Sequence, residues 1–291
     1  MGRKTANSAF FTRFTTARHV HPSRRTIPKH RRRFAIDAKF GHNTRTLNHR
    51  NAFMVNVICM KWGAKYGAEY VNTLHSMVQR HLSLPHRFVC LTDSSEGLNP
   101  GIETFPIPPM PIELDGPERG WKKLLTFSPT LYDLEGETLF LDIDIIVTGS
   151  LDDFFKHKGD VLIIREWKPR HGLGNSSVYR FKIGAHSDVL DYFVHNFAQI
   201  KQDFRHEQAF LCDYLSKKGA LGFWPEGWVR SFKRHCMHYF PKSLFIPPQL
   251  PDNTRVLIFH GRPNPDEAAV GKTGKWYRFA RPAAWIKDYW R

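Results

Sequence analysis

Residues 137–155 read ETLFLDIDIIVTGSLDDFF, an apolar run interrupted early by two acids, Asp142 and Asp144. A run this continuous predicts a buried strand. Burial raises the cost of keeping two neighbouring carboxylates ionised, and their mutual repulsion adds to it. In an extended segment the two acids share one face, with Leu141, Ile143 and Ile145 on the other. A divalent cation removes the conflict. Hard oxygen ligands suit Mn²⁺ or Mg²⁺, which take few protein carboxylates and complete their shells with phosphate oxygens and water. A strand-terminal Asp-x-Asp therefore points to a metal that holds a phosphorylated substrate. The plainer alternative is a pair of turn aspartates capping the next helix.

The run sits within an alternation of strands and helices. FMVNVICMKW (53–62) predicts a buried strand, and GAEYVNTLHSMVQRHL (67–82) carries Tyr70, Leu74, Met77, Val78 and Leu82 at helical spacing. HRFVCLTD (86–93) is a second strand ending on an acid, and GIETFPIPP (101–109) a weaker third. GWKKLLTFSPTLYDL (120–134) starts as a helix that Pro129 must end or kink. Ser150 is placed to cap a short helix over SLDDFF. Strands over 160–167, 175–181 and 254–261, with helices near 185–201 and 204–218, complete the pattern. This predicts a mixed, mainly parallel α/β sheet flanked by helices, in one domain spanning 51–265. Ligands of such sheets bind beyond the carboxyl ends of the strands, where Lys61, Trp62, Asp93 and the Asp142/Asp144 pair fall.

Charge separates the chain into unequal parts. The net charge is +16, yet residues 1–50 hold 13 Lys/Arg against one acid, or +12, leaving 30 minus 26, or +4, for the remainder. The segment 1–50 lacks apolar periodicity and reads as a disordered basic extension. It is also similar in composition to an organelle transit peptide. Because the excess is confined there, it argues against nucleic acid as the partner of the rest. No apolar stretch reaches membrane-spanning length, the first residues lack a secretory core, and Cys59, Cys90, Cys212 and Cys236 show no CxxC pairing. A cytoplasmic protein with reduced core thiols is the expectation. The final segment, 266–291, is basic and aromatic: over 272–291 it has six Lys/Arg, six aromatics and one acid. That suits either weak peripheral membrane contact or a packed C-terminal helix.

LFLDIDIIVTGSLDDFF resembles the DxD segment of GT-A fold glycosyltransferases, especially the retaining glycogenin and galactosyltransferase family. Four further pieces follow in that family's order. GWKKLLTFSP is similar to the helix that offers a base to the donor, with Lys122 or Lys123 in that place. NSSVYRF resembles the strand whose Asn, here Asn175, faces the sugar. HEQAFL resembles the motif that sets Glu207 and Gln208 by the anomeric carbon. FHGRP resembles the late His-Gly motif whose His, here His260, supplies a third metal ligand. The family spaces that His and Gly by two residues and continues to Lys-Pro-Trp; here Gly261 adjoins His260, and Arg262 is the candidate diphosphate base. The acid before Gln208 is Glu where the family has Asp.

The resemblance implies a metal-dependent transfer of sugar from a nucleotide-diphosphate donor, with UDP expected, to a glycan, lipid or protein acceptor. Lys61, Trp62, Asp93, Lys122, Lys123, Gly261 and Arg262 would then bind donor. Asp93 and Trp62 keep local alternatives, as a turn residue and a packing residue, and Glu207 one as a helix-capping acid. Two rival functions share features of the chain. A haloacid-dehalogenase-type phosphatase also carries an apolar strand and DxD, but at the start of its domain. A non-catalytic RNA-binding protein would use the basic extension.

Overall fold

The computed structural model describes residues 54–114, 120–168, 172–274 and 279–291; the basic extension 1–50 lies outside them. Strand β1 (Val55–Lys61) leads into helix α1 (Ala68–His81) and back to β2 (His86–Thr92), and β3 (Glu103–Pro106) follows. A 3₁₀ helix (Trp121–Phe127) precedes β4 (Glu137–Leu141). Next come β5 (Ile146–Val147), α2 (Asp152–Lys156), β6 (Val161–Arg165) and β7 (Gly174–Lys182). Helices α3 (Asp188–Asp203) and α4 (Glu207–Lys217) lead to β8 (Leu221–Phe223), β9 (Val229–Ser231) and β10 (Val256–Ile258). Two short helices, α5 (Pro265–Ala269) and α6 (Ile286–Tyr289), close the chain.

Seven strands form one sheet in the order β3-β2-β1-β4-β7-β6-β8, and β5-β10-β9 form a second, smaller one. Pairing is parallel across β3, β2, β1 and β4; β7 runs antiparallel to both of its neighbours, β4 and β6. The mixed, mainly parallel sheet expected from the sequence is therefore present. Helix α1 lays Val71, Leu74, Met77 and Val78 against one face, with Val55, Val57 and Cys59. Its apolar positions recur at helical spacing, so one stripe is buried and the other face is left to solvent. The opposite face packs the 3₁₀ helix, α3 and α4 through Trp121, Phe127, Phe193 and Phe210. All four cysteines are free and buried.

Three sequence expectations change. GWKKLLTF is 3₁₀ rather than α-helical; it begins after Gly120 in the left-handed region (φ 82°) and ends at Ser128, before Pro129. Ser150 is not the cap of α2, which Leu151 precedes, although its Oγ accepts the Asp152 N–H at 3.2 Å. Most consequential, 137–147 is not one strand. The main sheet ends at Leu141; the chain turns at Ile143 and Asp144 and re-enters a different sheet at Ile146. Both halves of the run are buried, which is why its composition looks continuous.

Arg180 fixes the chain downstream of this corner. At 4% exposure it donates to the carbonyls of Phe154 (3.0 Å), His157 (2.6 Å) and Gly159 (2.6 Å), and its Nε lies 3.0 Å from Glu137 Oε2. Replacement by an apolar residue leaves those buried carbonyls unpaired, which costs more than the bonds themselves contribute. Arg180→Leu is therefore expected to lower unfolding free energy by about 3 kcal/mol, measured by urea denaturation.

Candidate active site at the strand carboxyl ends

Two irregularities in neighbouring strands make the site. The first is the corner after β4, where the Asp142 N–H donates to the Ser177 carbonyl at 2.9 Å as β4 leaves the sheet. The second is in β7. Ile163 of β6 faces Tyr179, but the adjacent Ile164 faces Asn175, so 176–178 bulge out of the ladder. Bulges re-aim side chains and often lie beside functional sites. This one turns Ser176 and Ser177 toward the Asp142 corner. Gly174 begins the strand where a Cβ would come within 2.8 Å of the Ile164 carbonyl and 2.9 Å of Cys212 Sγ. That close approach brings α4, and with it Glu207 and Gln208, against the bulge.

At the centre is a largely, not fully, buried charge cluster. Lys123 Nζ sits 2.6 Å from Asp142 Oδ1 and 3.5 Å from the Ser176 carbonyl. Burial works against this ammonium, but Asp142 and Glu207 more than offset it, so its pKa is raised. Glu207 is 4% exposed, and its carboxylate accepts from the Ser176 hydroxyl. A Cβ at Gly120 would fall 2.7 Å from Glu207 Oε2, so this carboxylate needs glycine there. Burial pushes the Glu207 carboxyl above the usual range; Lys123 and Ser176 offset part of that. Asp144 is raised too, first by burial and then by the Asp142 charge, while the Tyr66 hydroxyl, donating at 2.6 Å, opposes the shift. Beside them Asn175 Nδ2 donates to Gln208 Oε1 at 3.2 Å, and Asn175 Oδ1 accepts the Ser177 N–H at 3.0 Å.

The two consecutive lysines, equivalent in the sequence, are separated here. Lys123 enters the cluster, whereas Lys122 turns the other way, its Nζ 5.8 Å from the Trp62 ring centroid. With Thr92, Asp93, Phe105 and Met110 they line a cleft of about 550 Å³ beyond the carboxyl ends of β1, β2 and β3. Asp93 Oδ2 accepts the Gly63 N–H at 2.7 Å, bracing the Trp62–Gly63 turn. Asp93 thus serves as a local brace while also lining the cleft. Lys61 ends β1 opposite Thr92 but does not line the cleft.

The late motif is less closely gathered. His260 follows β10, and its Nε2 is buried without a hydrogen-bond partner. Burial lowers its pKa to about 4, so the ring is neutral at physiological pH. Trp167 stands edge-on to it at 5.9 Å, and Lys233 donates to its carbonyl. Gly261 is exposed with φ 57°. Arg262 pairs with Glu267 of α5 at 3.3 Å. Among the described residues no group of three His, Cys, Asp or Glu side chains converges closely enough to hold a metal ion. The donor chemistry nevertheless suits one: a neutral, unpartnered imidazole nitrogen and two carboxylates, of which Asp144 is destabilised by its neighbour. Tyr66 and Ser176 were not identifiable beforehand; the only hint of Ser176 is the polar NSS at the start of an otherwise apolar strand.

No family profile matches the chain, and no curated protein matches it. Solved structures do. A galactosyltransferase, LgtC, determined with donor and acceptor sugar analogues, superposes with a TM-score of 0.51 at 14% identity, over 72% of this chain and 88% of that one. A Gln-to-Glu active-site variant of the same enzyme gives 0.51 and 14% over 72% and 89%. The likeness establishes the fold: the chain has the GT-A arrangement of these enzymes.

Glu207 offers a direct check of the cluster. Its folded pKa lies above the ordinary value of 4.5 because of burial, so the native state holds the proton more tightly than the unfolded chain. The sign follows: this group's contribution is most favourable at low pH and is lost as pH rises through the folded pKa. Glu207→Gln removes the loss. The melting-temperature difference, variant minus wild type, is expected to increase from pH 4.5 toward pH 7 in thermal unfolding scans.

Proposed function

We propose that this chain is a metal-dependent glycosyltransferase that moves a sugar from a nucleotide-diphosphate donor, a UDP-sugar, to a glycan, lipid or protein acceptor. The observation that carries the reading is the gathering of the Asp142/Asp144 corner, Lys123, Asn175 and Gln208 beside the cleft of Trp62, Asp93 and Lys122. Anions, an anomeric carbon and a planar base demand those three kinds of neighbour.

In this reading the base and ribose enter the cleft, with Trp62 as an apolar wall and the Asp93 carboxylate as acceptor for a base N–H. Lys122 and Lys123 place positive charge on either side of the diphosphate, where charge accumulates as the glycosidic bond breaks. Asp142, Asp144 and His260 are the residues that would hold Mn²⁺ or Mg²⁺, which when bound screens the leaving diphosphate. Asn175 and Gln208, coupled by their hydrogen bond, flank the sugar with polar atoms that can hold its hydroxyls and orient the acceptor. Glu207 acts through Lys123, whose ammonium it helps keep charged, more than by facing the sugar. Arg262, paired with Glu267, must leave that partner to reach a diphosphate. The LgtC likeness supports the reading at the level of fold, and its sugar-bound state supports the substrate class.

Asp142→Asn and Asp144→Asn are each expected to reduce Mn²⁺-dependent UDP-sugar hydrolysis by about a hundredfold, equivalent to about 2.7 kcal/mol. Unchanged turnover in both variants, or calorimetry that registers no heat when Mn²⁺ and UDP are titrated into the wild type, rejects the proposal. Trp62→Ala is expected to raise the donor KM by about tenfold with little change in kcat, since it removes binding shared by the ground and transition states.

A further inference from the structure

Three of the C-terminal aromatics, which in the sequence suit a membrane interface, are packed away. Trp285, Tyr289 and Trp290 lie against the core, the Trp285 Nε1–H donates to the Pro248 carbonyl at 2.8 Å, and Arg80 holds the Tyr289 and Arg291 carbonyls at 2.6 Å. A denser group of exposed apolar side chains lies elsewhere among the described residues. Between β9 and β10, Tyr239, Phe240, Phe245 and Ile246 are 86%, 79%, 73% and 37% exposed. Four large apolar side chains within so short a stretch form a patch of the kind that marks an interaction site.

The segment is held in shape. The Gln249 N–H donates to the Cys236 carbonyl at 3.1 Å and closes the loop at its base. Within it the Ile246 N–H reaches the Lys242 carbonyl at 2.9 Å, Ser243 is buried as an internal anchor, and Arg281 Nη1 donates to the Leu244 carbonyl at 3.2 Å. This is a closed loop that presents its own apolar side chains outward. Charge indicates the occupant. From Met237 to Pro251 there is no Asp or Glu, and the bases before the loop are engaged elsewhere, Arg230 toward Glu226, Lys233 at the His260 carbonyl and Arg234 toward Glu166. Exposed Lys242 sits among the aromatics, while Arg281 at the base lies near half-exposed Phe279. Aromatic rings of the kind that settle at the headgroup level, with exposed Lys242 among them and exposed Arg281 bonded to the Leu244 carbonyl, match a bilayer carrying negative lipids.

We propose that residues 237–248 form a docking loop that seats this protein on an anionic lipid surface, with Tyr239, Phe240 and Phe245 entering the interface. The inference is independent of the catalytic reading. The four native cysteines are buried, so Phe245→Cys in the full chain can be labelled selectively with an environment-sensitive fluorophore. Vesicles of phosphatidylcholine and phosphatidylglycerol in equal parts are expected to shift its emission to the blue, with quenching by doxyl groups in the acyl region. The same label on Lys217→Cys, on exposed α4, is expected to remain unchanged. Tyr239→Ser/Phe240→Ser/Phe245→Ser is expected to weaken vesicle partition by about tenfold, and Lys242→Glu to weaken it in low salt. Partition that persists without a response at residue 245 belongs to another part of the chain and overturns the proposal. A response that grows with protein concentration in the absence of vesicles means self-association, and overturns it as well.

Discussion

The site depends on one electrostatic constraint: a single buried ammonium serves several carboxylates. Lys123 lies in ion-pair contact with Asp142 and within the field of Glu207 and Asp144. Buried charges persist only when paired, because little solvent is present to stabilise them. Burial raises the pKa of both Asp144 and Glu207; the Asp142 charge adds to it at Asp144, against Lys65 and Lys123, whereas at Glu207 the Lys123 charge opposes it. The Tyr66 and Ser176 hydroxyls offset some of it by donating hydrogen bonds. A second cation would offset the rest, and this is the strongest physical ground for a metal role here. It is stronger than the Asp-x-Asp spacing, because it comes from the surroundings of the acids.

The fold creates this cluster by spoiling regular structure at matched places. Were β4 to continue past Leu141, Asp144 would point along a sheet face with no partner but solvent or core. Leaving the sheet at Asp142 frees that backbone to bond Ser177 and lets Asp144 meet Tyr66. The bulge in β7 makes the complementary move, directing Ser176 and Ser177 to the corner that β4 has vacated. Successive side chains leave a helix about 100–120° apart around its axis, in α and 3₁₀ forms alike. That is how Lys122 reaches the cleft while Lys123 reaches the cluster.

Much of this was legible in the sequence, and the failures share a cause. The α1 stripe, the first two strands and the acid pair all follow from local patterns of apolarity, which tertiary packing preserves. The alternation expected at Asp142 and Asp144 holds in burial, with Leu141, Ile143 and Ile145 inside and the acids less so, but the single strand assumed for it fails because both halves of 137–147 are apolar. Composition cannot distinguish one buried strand from two joined by a turn. Ser176 and Tyr66 act only through partners 31 and 78 residues away in the chain. No single-sequence pattern encodes such a pairing. Any helix puts Lys122 and Lys123 on different faces, but which of them meets the acids depends on packing that no local pattern encodes. Placing His260 near the strand mouths required only a late strand, but Arg262 depended on a motif from which this chain departs, and its side chain finds Glu267 instead.

The small sheet β5-β10-β9 explains why the outlying pieces belong together. Its β5 continues directly from the acid corner, its β10 ends at Ile258 just before His260, and the strip after β9 carries Lys233, which bonds the His260 carbonyl, before opening into the exposed loop. Trp167, reached from β6 of the main sheet, packs edge-on to both His235 and His260. The loop thus leaves and rejoins the chain at two strands, β9 and β10, that pair with each other below His260. Drawing His260 toward Asp142 and Asp144 must pull on β10, and so on both of its neighbours. Rigidity in this three-stranded unit sets how readily the imidazole can approach the carboxylates. Strands of two or three residues, paired at a few positions each, leave that approach inexpensive compared with deforming the seven-stranded sheet.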